Sequence, residues 1–277
     1  TVPTPVGGSG SLTYFGNNTL TLLDPVSQQP TALPYTQDPI GPVSISPDGQ
    51  RILLDVLDPK SNTRRIGVVE RGSNVVTFLT SGSGEQYHAS WRGDGLAIVY
   101  ASTENGTADL YIMDADGQNQ KPITSGAGDD QYPSFSPDGT RILFESNRDG
   151  HWAIFTIDPQ GGPVDRISTL GQTNNDRSPR WSPDGQRIAF ASDRDYPGQR
   201  TEIYIRNPDG SDAKITDFKS GSANGPAWSP DGTLIAFFGD RAGSNDIYLV
   251  DPFADVLLPT SPANDPAVNE RWPSWGK

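Results

Sequence analysis

Apolar residues in this chain fall into runs of about four to six, rich in β-branched and aromatic side chains, each bounded by Pro, Asp, Asn, Gly or Ser. Arg141-Ile142-Leu143-Phe144, Ile154-Phe155-Thr156-Ile157 and Ile203-Tyr204-Ile205 are typical. Such runs between turn formers predict short strands. The punctuation is itself periodic. Ser46-Pro47-Asp48-Gly49 returns as Ser136-Pro137-Asp138-Gly139, Ser182-Pro183-Asp184-Gly185 and Ser229-Pro230-Asp231-Gly232, with Arg92-Gly93-Asp94-Gly95 as a degenerate copy. Successive Asp residues lie 46, 44, 46 and 47 positions apart. In this turn Pro presets φ, Asp bonds its own backbone and Gly accepts positive φ. Asp48, Asp94, Asp138, Asp184 and Asp231 are therefore assigned to turns.

Each copy carries Ile45, Trp91, Phe135, Trp181 or Trp228 before the turn and three further runs after it. Four strands repeated about every 45 residues predict a β-propeller. The chain stops on Arg271-Trp272-Pro273-Ser274-Trp275-Gly276-Lys277, an inner strand with no turn after it. It opens with the outer runs Leu12–Phe15, Leu20–Leu23 and Thr31–Leu33. Together these predict a sixth, composite blade that closes the ring and leaves no edge unpaired inside it. The expected fold is all-β: a six-bladed propeller over 11–277, four antiparallel strands per blade, preceded by a flexible Pro/Gly/Ser-rich lead-in over 1–10. The lead-in is a candidate tether to an upstream domain, and a start at Thr1 suggests a processed or excised chain.

Composition refines this picture. Gly (30) and Pro (25) supply about a fifth of the chain, which disfavours long helices, while 25 aromatic residues argue against disorder. The net charge of −13 makes nucleic acid and anionic membrane surfaces poor partners, and no run is long enough to cross a bilayer as a helix. With no cysteine, disulfides and thiolate metal sites are excluded.

The units resemble the TolB-type, WD-like propeller repeat. Pro179-Arg180-Trp181-Ser182-Pro183-Asp184-Gly185-Gln186-Arg187-Ile188-Ala189-Phe190 is similar to its inner strand and turn, and so is Pro226–Gly232. The resemblance covers residues 11–277. It implies the fold and a bacterial, periplasmic or envelope setting, and is far less specific for function. Such propellers also accompany peptidase domains, and the smaller N-terminal domain of TolB has no counterpart here, so a Tol-system role is not carried over.

Catalytic chemistry is sparse. There is no Gly-x-Ser-x-Gly elbow of the kind that carries a nucleophilic serine, and His88 and His151 are the only histidines, too few for a His-rich metal site. Asp114-Ala115-Asp116-Gly117 resembles part of a calcium loop without the remaining ligands. The residues that differ between blades lie just before each inner strand and are expected to gather at one mouth of the central channel. They are Glu85, Gln86, Tyr87 and His88; Asp129, Asp130, Gln131 and Tyr132; Asn175, Asp176, Arg177 and Ser178; Ser222 to Gly225; and Asn269, Glu270, Arg271 and Trp272. Arg148, Arg194 and Arg241 occupy matching turn positions and are expected to pair with rim Asp residues.

The leading expectation is a non-catalytic, extracytoplasmic scaffold that binds a protein or peptide at this rim, with Tyr87, Tyr132 and Trp272 as aromatic anchors. His88 is expected to hydrogen-bond there. No cofactor is required, but Asp130, Asp176 and Glu270 share one repeat position and form a candidate calcium or magnesium set. Two alternatives are a carbohydrate-active enzyme using those carboxylates, and a sensor domain of a membrane-anchored protein. Asn17-Asn18-Thr19 and Asn105-Gly106-Thr107 match the N-glycosylation pattern.

Overall fold

Each Ser-Pro-Asp-Gly element folds into the same closed turn in the computed structural model. The structure describes residues 10–16, 19–23, 30–32, 41–126, 128–169, 173–241, 243–254, 256–258 and 270–276. Ser182 Oγ donates to Asp184 Oδ1 at 2.5 Å and accepts the Arg187 N–H at 2.8 Å; Ser46 does the same with Asp48 and Arg51. The glycine that ends the turn takes a φ of 70° at Gly49 and Gly185 and 72° at Gly139 and Gly232, where a side chain would be strained. In the degenerate copy, Arg92 replaces the serine and binds Asp94 through Nε at 2.9 Å.

Twenty-four strands among the described residues form six four-stranded antiparallel sheets, with no helix. Blade 1 runs outward through Ser44–Ile45, Arg51–Asp58, Thr63–Glu70 and Val76–Phe78. The inner strands of blades 2 to 5 are Gln86–Trp91, Asp130–Phe135, Asp176–Trp181 and Ala223–Trp228. Blade 6 is composite: Arg271–Gly276 pairs with Ser11–Gly16, followed by Thr19–Leu23 and Pro30–Ala32. The expected closure by both ends of the chain is therefore present. Leu33 and residues 1–9 lie outside the described residues, as do Asn17 and Asn18 of one glycosylation pattern. Asn105, in the other, is exposed in a hairpin turn and donates to Tyr111 Oη at 2.8 Å.

The core is divided among the blade interfaces. Six apolar clusters occur among the described residues, each spanning one interface: Leu54 with Phe15 between blades 1 and 6, Leu53 with Tyr100 between 1 and 2, Val99 with Phe144 between 2 and 3, Leu143 with Phe190 between 3 and 4, Ala191 with Phe237 between 4 and 5, and Ala236 with Leu12 between 5 and 6. Each sheet thus buries both faces against its neighbours, and the inner strands alone face the channel.

Candidate binding mouth of the central channel

The inner strands share a local irregularity that shapes the channel. In blades 2 to 6 the register slips near the start of the inner strand, and the residue three before the last aromatic of that strand adopts positive φ: His88 (57°), Tyr132 (51°), Ser178 (52°), Gly225 (56°) and Trp272 (58°). Blade 1 places Pro42 at the equivalent point, and proline cannot take that conformation. Left-handed backbone is costly for bulky residues, roughly 1–2 kcal/mol each. It persists only where surrounding contacts over-determine it.

Part of that support comes from buried carboxylates in the preceding blade. Asp55, in the run Ile52-Leu53-Leu54-Asp55, accepts the His88 N–H at 2.9 and 3.0 Å. Its blade-mate Gly41 leaves room for this carboxylate, since a Cβ there would collide with Asp55 Oδ2. Glu145, at the same place in Ile142-Leu143-Phe144-Glu145, accepts the Ser178 N–H at 2.5 Å and holds Arg177 at 2.9 Å. Both acids are fully buried. The other blades put Ala101, Ala191, Phe238 and Phe15 there. Phe238 packs edge-on against Trp272, ring centroids 5.2 Å apart.

The bulge turns the aromatic side chains into the channel. His88 stacks on Tyr132 at a centroid distance of 3.7 Å, and Tyr132 lies 6.5 Å from Trp272. Blades 3 and 6 face each other across a six-bladed ring, so this last contact spans the axis. Tyr132 and Trp272 are half-buried and close the channel beneath the rim. Burial, reinforced by Arg64, Arg180 and Arg177, pushes the His88 pKa well below its usual value, so the imidazole in this layer is neutral. Around the layer, Arg64 stands 3.5 Å from Glu85 and lies over the Tyr87 ring at 4.8 Å, while Arg177 covers Trp152 at 4.3 Å.

Several sequence expectations are corrected by this geometry. Tyr87 is buried in the apolar cluster between blades 2 and 3 and is not an exposed anchor. His88 stacks, and its Nδ1 has no hydrogen-bond partner among the described residues. Asp130, Asp176 and Glu270 do not converge: among the described residues no three His, Asp or Glu side chains come together as a metal set. Each is buried and engaged within its own part of the ring. Asp130 takes Arg148 at 2.8 Å, Asp176 takes Arg194 at 3.0 Å, and Glu270 accepts the Ile247 N–H of blade 5 at 3.4 Å. The expected Arg–Asp lattice is thus present in blades 3 and 4. In blade 5 the matching position is Ala223, and Arg241 lies over the Phe218 ring at 5.6 Å. Arg271 is exposed beside Trp272, and Asn269 lies outside the described residues.

Asp55, Glu145 and Phe238 were missed at the sequence level. The available signal was an acid, or an extra aromatic, at one repeat position inside otherwise apolar second strands.

Comparison with known proteins bears directly on this arrangement. A family model described as the TolB beta propeller domain matches residues 17–178, more than half of the chain. The chain belongs to the TolB beta-propeller domain family. Solved relatives share its fold. TolB from Acinetobacter baumannii is 22% identical with a TM-score of 0.80, the alignment covering 99% of this chain and 68% of that one. A putative TolB from Agrobacterium tumefaciens is 22% identical with a TM-score of 0.70, covering 91% and 87%. An oligogalacturonate lyase in complex with manganese is 15% identical with a TM-score of 0.61, covering 87% and 74%. TolB proteins and a lyase thus share this scaffold, and the residues of this TolB-type propeller must decide its own role.

Proposed function

We propose that this TolB-type propeller is a non-catalytic, extracytoplasmic scaffold that captures a protein or peptide segment at the rim of its channel. The observation that carries the reading is the layer of His88, Tyr132 and Trp272, aimed into the mouth by backbone that is unfavourable at each position. Strain held at one repeat position in several blades is a cost for which packing alone gives no reason. Half-buried Tyr and Trp rings are what a binding surface uses to anchor a partner's side chain. Arg64–Glu85, Arg177 and exposed Arg271 supply charge of both signs around them. The family and the bacterial TolB relatives support a protein partner outside the cytoplasm. A hydrolytic reading is weakened because Asp130 and Asp176, its two best acids, are locked on arginines.

The test is binding of peptides selected from a random linear library against the intact propeller. Tyr132→Asn and Trp272→Asn are suitable variants because Asn tolerates left-handed backbone better than other residues. Each is expected to weaken binding by about tenfold or more, as for an interface hot spot. Phe253→Ser, on the face of the Ser-Pro-Asp-Gly turns, is expected to leave it unchanged. Selected peptides that bind both rim variants like the wild type would remove the proposal.

A further inference from the structure

The other end of the channel holds a second site that does not depend on the rim. There, a cavity of about 270 Å³ opens on the face of the Ser-Pro-Asp-Gly turns, reaching Ser136-Pro137 and Ser182-Pro183. Its wall includes one equivalent residue from each blade: Ser44, Ser90, Ser134, Arg180, Ala227 and Ser274. Five of the six are small, and Arg180 is the single charge among them. His88, Tyr132 and Trp272 are absent from this wall, because they lie two positions earlier along their strands and close the channel above it.

Arg180 is unusual for its setting. Its Nη1 donates to the Pro179 carbonyl at 2.9 Å, and among the described residues it has no carboxylate partner. The other arginines drawn inward, Arg148, Arg177 and Arg194, each hold an acid. Desolvation lowers the Arg180 pKa while Tyr132 and the Glu145 charge raise it, yet a guanidinium remains protonated. Among the described residues no Asp or Glu lines the cavity.

Ser136 and Ser182 of the wall already donate to Asp138 and Asp184 of their own turns. Ser134 Oγ and the indole N–H groups of Trp91, Trp181, Trp228 and Trp275 also have no hydrogen-bond partner among the described residues, but these atoms are buried behind the wall and do not open on the cavity. A guanidinium only donates. A cavity whose described lining holds one guanidinium and no acid is complementary to an anion. Phosphate-like dianions fit less well, because one guanidinium would leave a charge uncompensated in a partly apolar enclosure. Val43, Phe135, Pro273 and the tryptophan rings instead suit an apolar body attached to a single negative group.

We infer that this cavity binds one carboxylate, with Arg180 as its counter-ion and an apolar substituent packed on the tryptophan wall. The carboxylate belongs either to a small free acid or to the C-terminus of a peptide, since both present the same group. At a net charge of −13 the protein as a whole repels anions, so any such binding reports the local site and not general attraction.

Calorimetric titration of the full chain tests this with benzoate against benzamide, and with Gly-Gly-Phe against its C-terminal amide. Benzoate is expected to bind saturably and benzamide not. Arg180→Gln is expected to lose about tenfold or more in affinity, with Arg180→Lys intermediate, because Lys keeps the charge without the planar fork. Lys60→Gln, in an exposed hairpin of blade 1, is expected to bind benzoate as the wild type does. Binding of Gly-Gly-Phe but not its amide assigns the site to chain ends; binding of benzoate alone assigns it to small acids. Should Arg180→Gln not fold, Ser90→Leu fills the cavity from another blade and is expected to abolish binding. The inference is overturned if benzoate and benzamide bind alike, if neither acid binds, or if Arg180→Gln and Ser90→Leu retain wild-type affinity.

Discussion

Removal of residues 271–277 is expected to abolish cooperative folding of the whole ring. The strand Arg271–Gly276 is the inner strand of blade 6, paired with Ser11–Gly16 in the register Leu12↔Trp275 and Thr13↔Ser274. Thr13 Oγ1 also donates to the Ser274 carbonyl at 3.0 Å. Without this strand the first strand of the chain becomes an open edge, and one wall of the cluster formed by Leu12, Tyr14, Leu234, Ala236, Ile247 and Leu249 loses Trp275. Trp272 also leaves the Phe238 ring and the aromatic layer. In a closed ring each blade is held from both sides, so one missing inner strand weakens two interfaces as well as its own sheet. The expected loss exceeds about 5 kcal/mol, comparable with the entire stability of many domains. Urea unfolding followed by tryptophan fluorescence measures it. An unchanged midpoint and slope in the truncated chain would show that the ring does not rely on this closure.

Asp55→Asn is expected to stabilise the protein near neutral pH and to reduce its sensitivity to pH between about 4 and 7. Burial raises the Asp55 carboxyl from 3.8 to about 7, with the His88 N–H, the Arg64 charge and the Ala89 N–H opposing that shift. A carboxyl with a higher pKa in the fold than in the unfolded chain binds more protons when folded. Its favourable contribution is complete below the unfolded pKa, falls as pH rises through the window, and is lost above the folded pKa. A shift of this size corresponds to about 4 kcal/mol. Asn removes the ionisation while its amide oxygen still accepts from His88. Exposed turn acids such as Asp48, Asp138 and Asp184, held below the usual range first by a serine hydroxyl, act in the opposite sense and lose their contribution on acidification. They are common to both proteins, so the variant-minus-wild-type difference isolates Asp55. That difference should grow from pH 4 to pH 8 in denaturant titrations. A flat difference would mean that Asp55 titrates normally.

The parts of the molecule that were legible in the sequence are those governed by local chemistry. Ser182-Pro183-Asp184-Gly185 announces its turn because each residue has a backbone reason to be there, and repetition turns one turn into a ring. The C-terminal run ending in Trp275 and the outer strands near Leu12 each lacked what the other possessed, which made the composite blade readable. The Arg148–Asp130 and Arg194–Asp176 pairs were legible from matching repeat positions; blade 5 departs because Ala223 offers Arg241 no carboxylate.

The bulge was not legible, because His88, Tyr132 and Trp272 carry no sign of positive φ and Gly225 alone hints at it. Missing it placed Tyr87 on the rim and His88 in a hydrogen-bonding role, since one slipped residue exchanges the faces of a strand. Asp55 and Glu145 escaped for a related reason: they bind backbone N–H groups of the next blade, and that partner has no signature in the sequence. Arg180 carries no signal of its own, because it sits inside the inner strand at a position where the other blades hold Ser or Ala, far from the variable residues that precede the strands.

The most direct test of the central claim is hydrogen exchange of the propeller with and without a library-selected peptide. Capture at the aromatic mouth predicts slowed exchange at the starts of the inner strands, around residues 86–88, 130–132, 176–178 and 270–272, with the Ser-Pro-Asp-Gly turns unchanged. Protection confined to the outer strands or to those turns, with the aromatic layer exchanging as in the free protein, would contradict it.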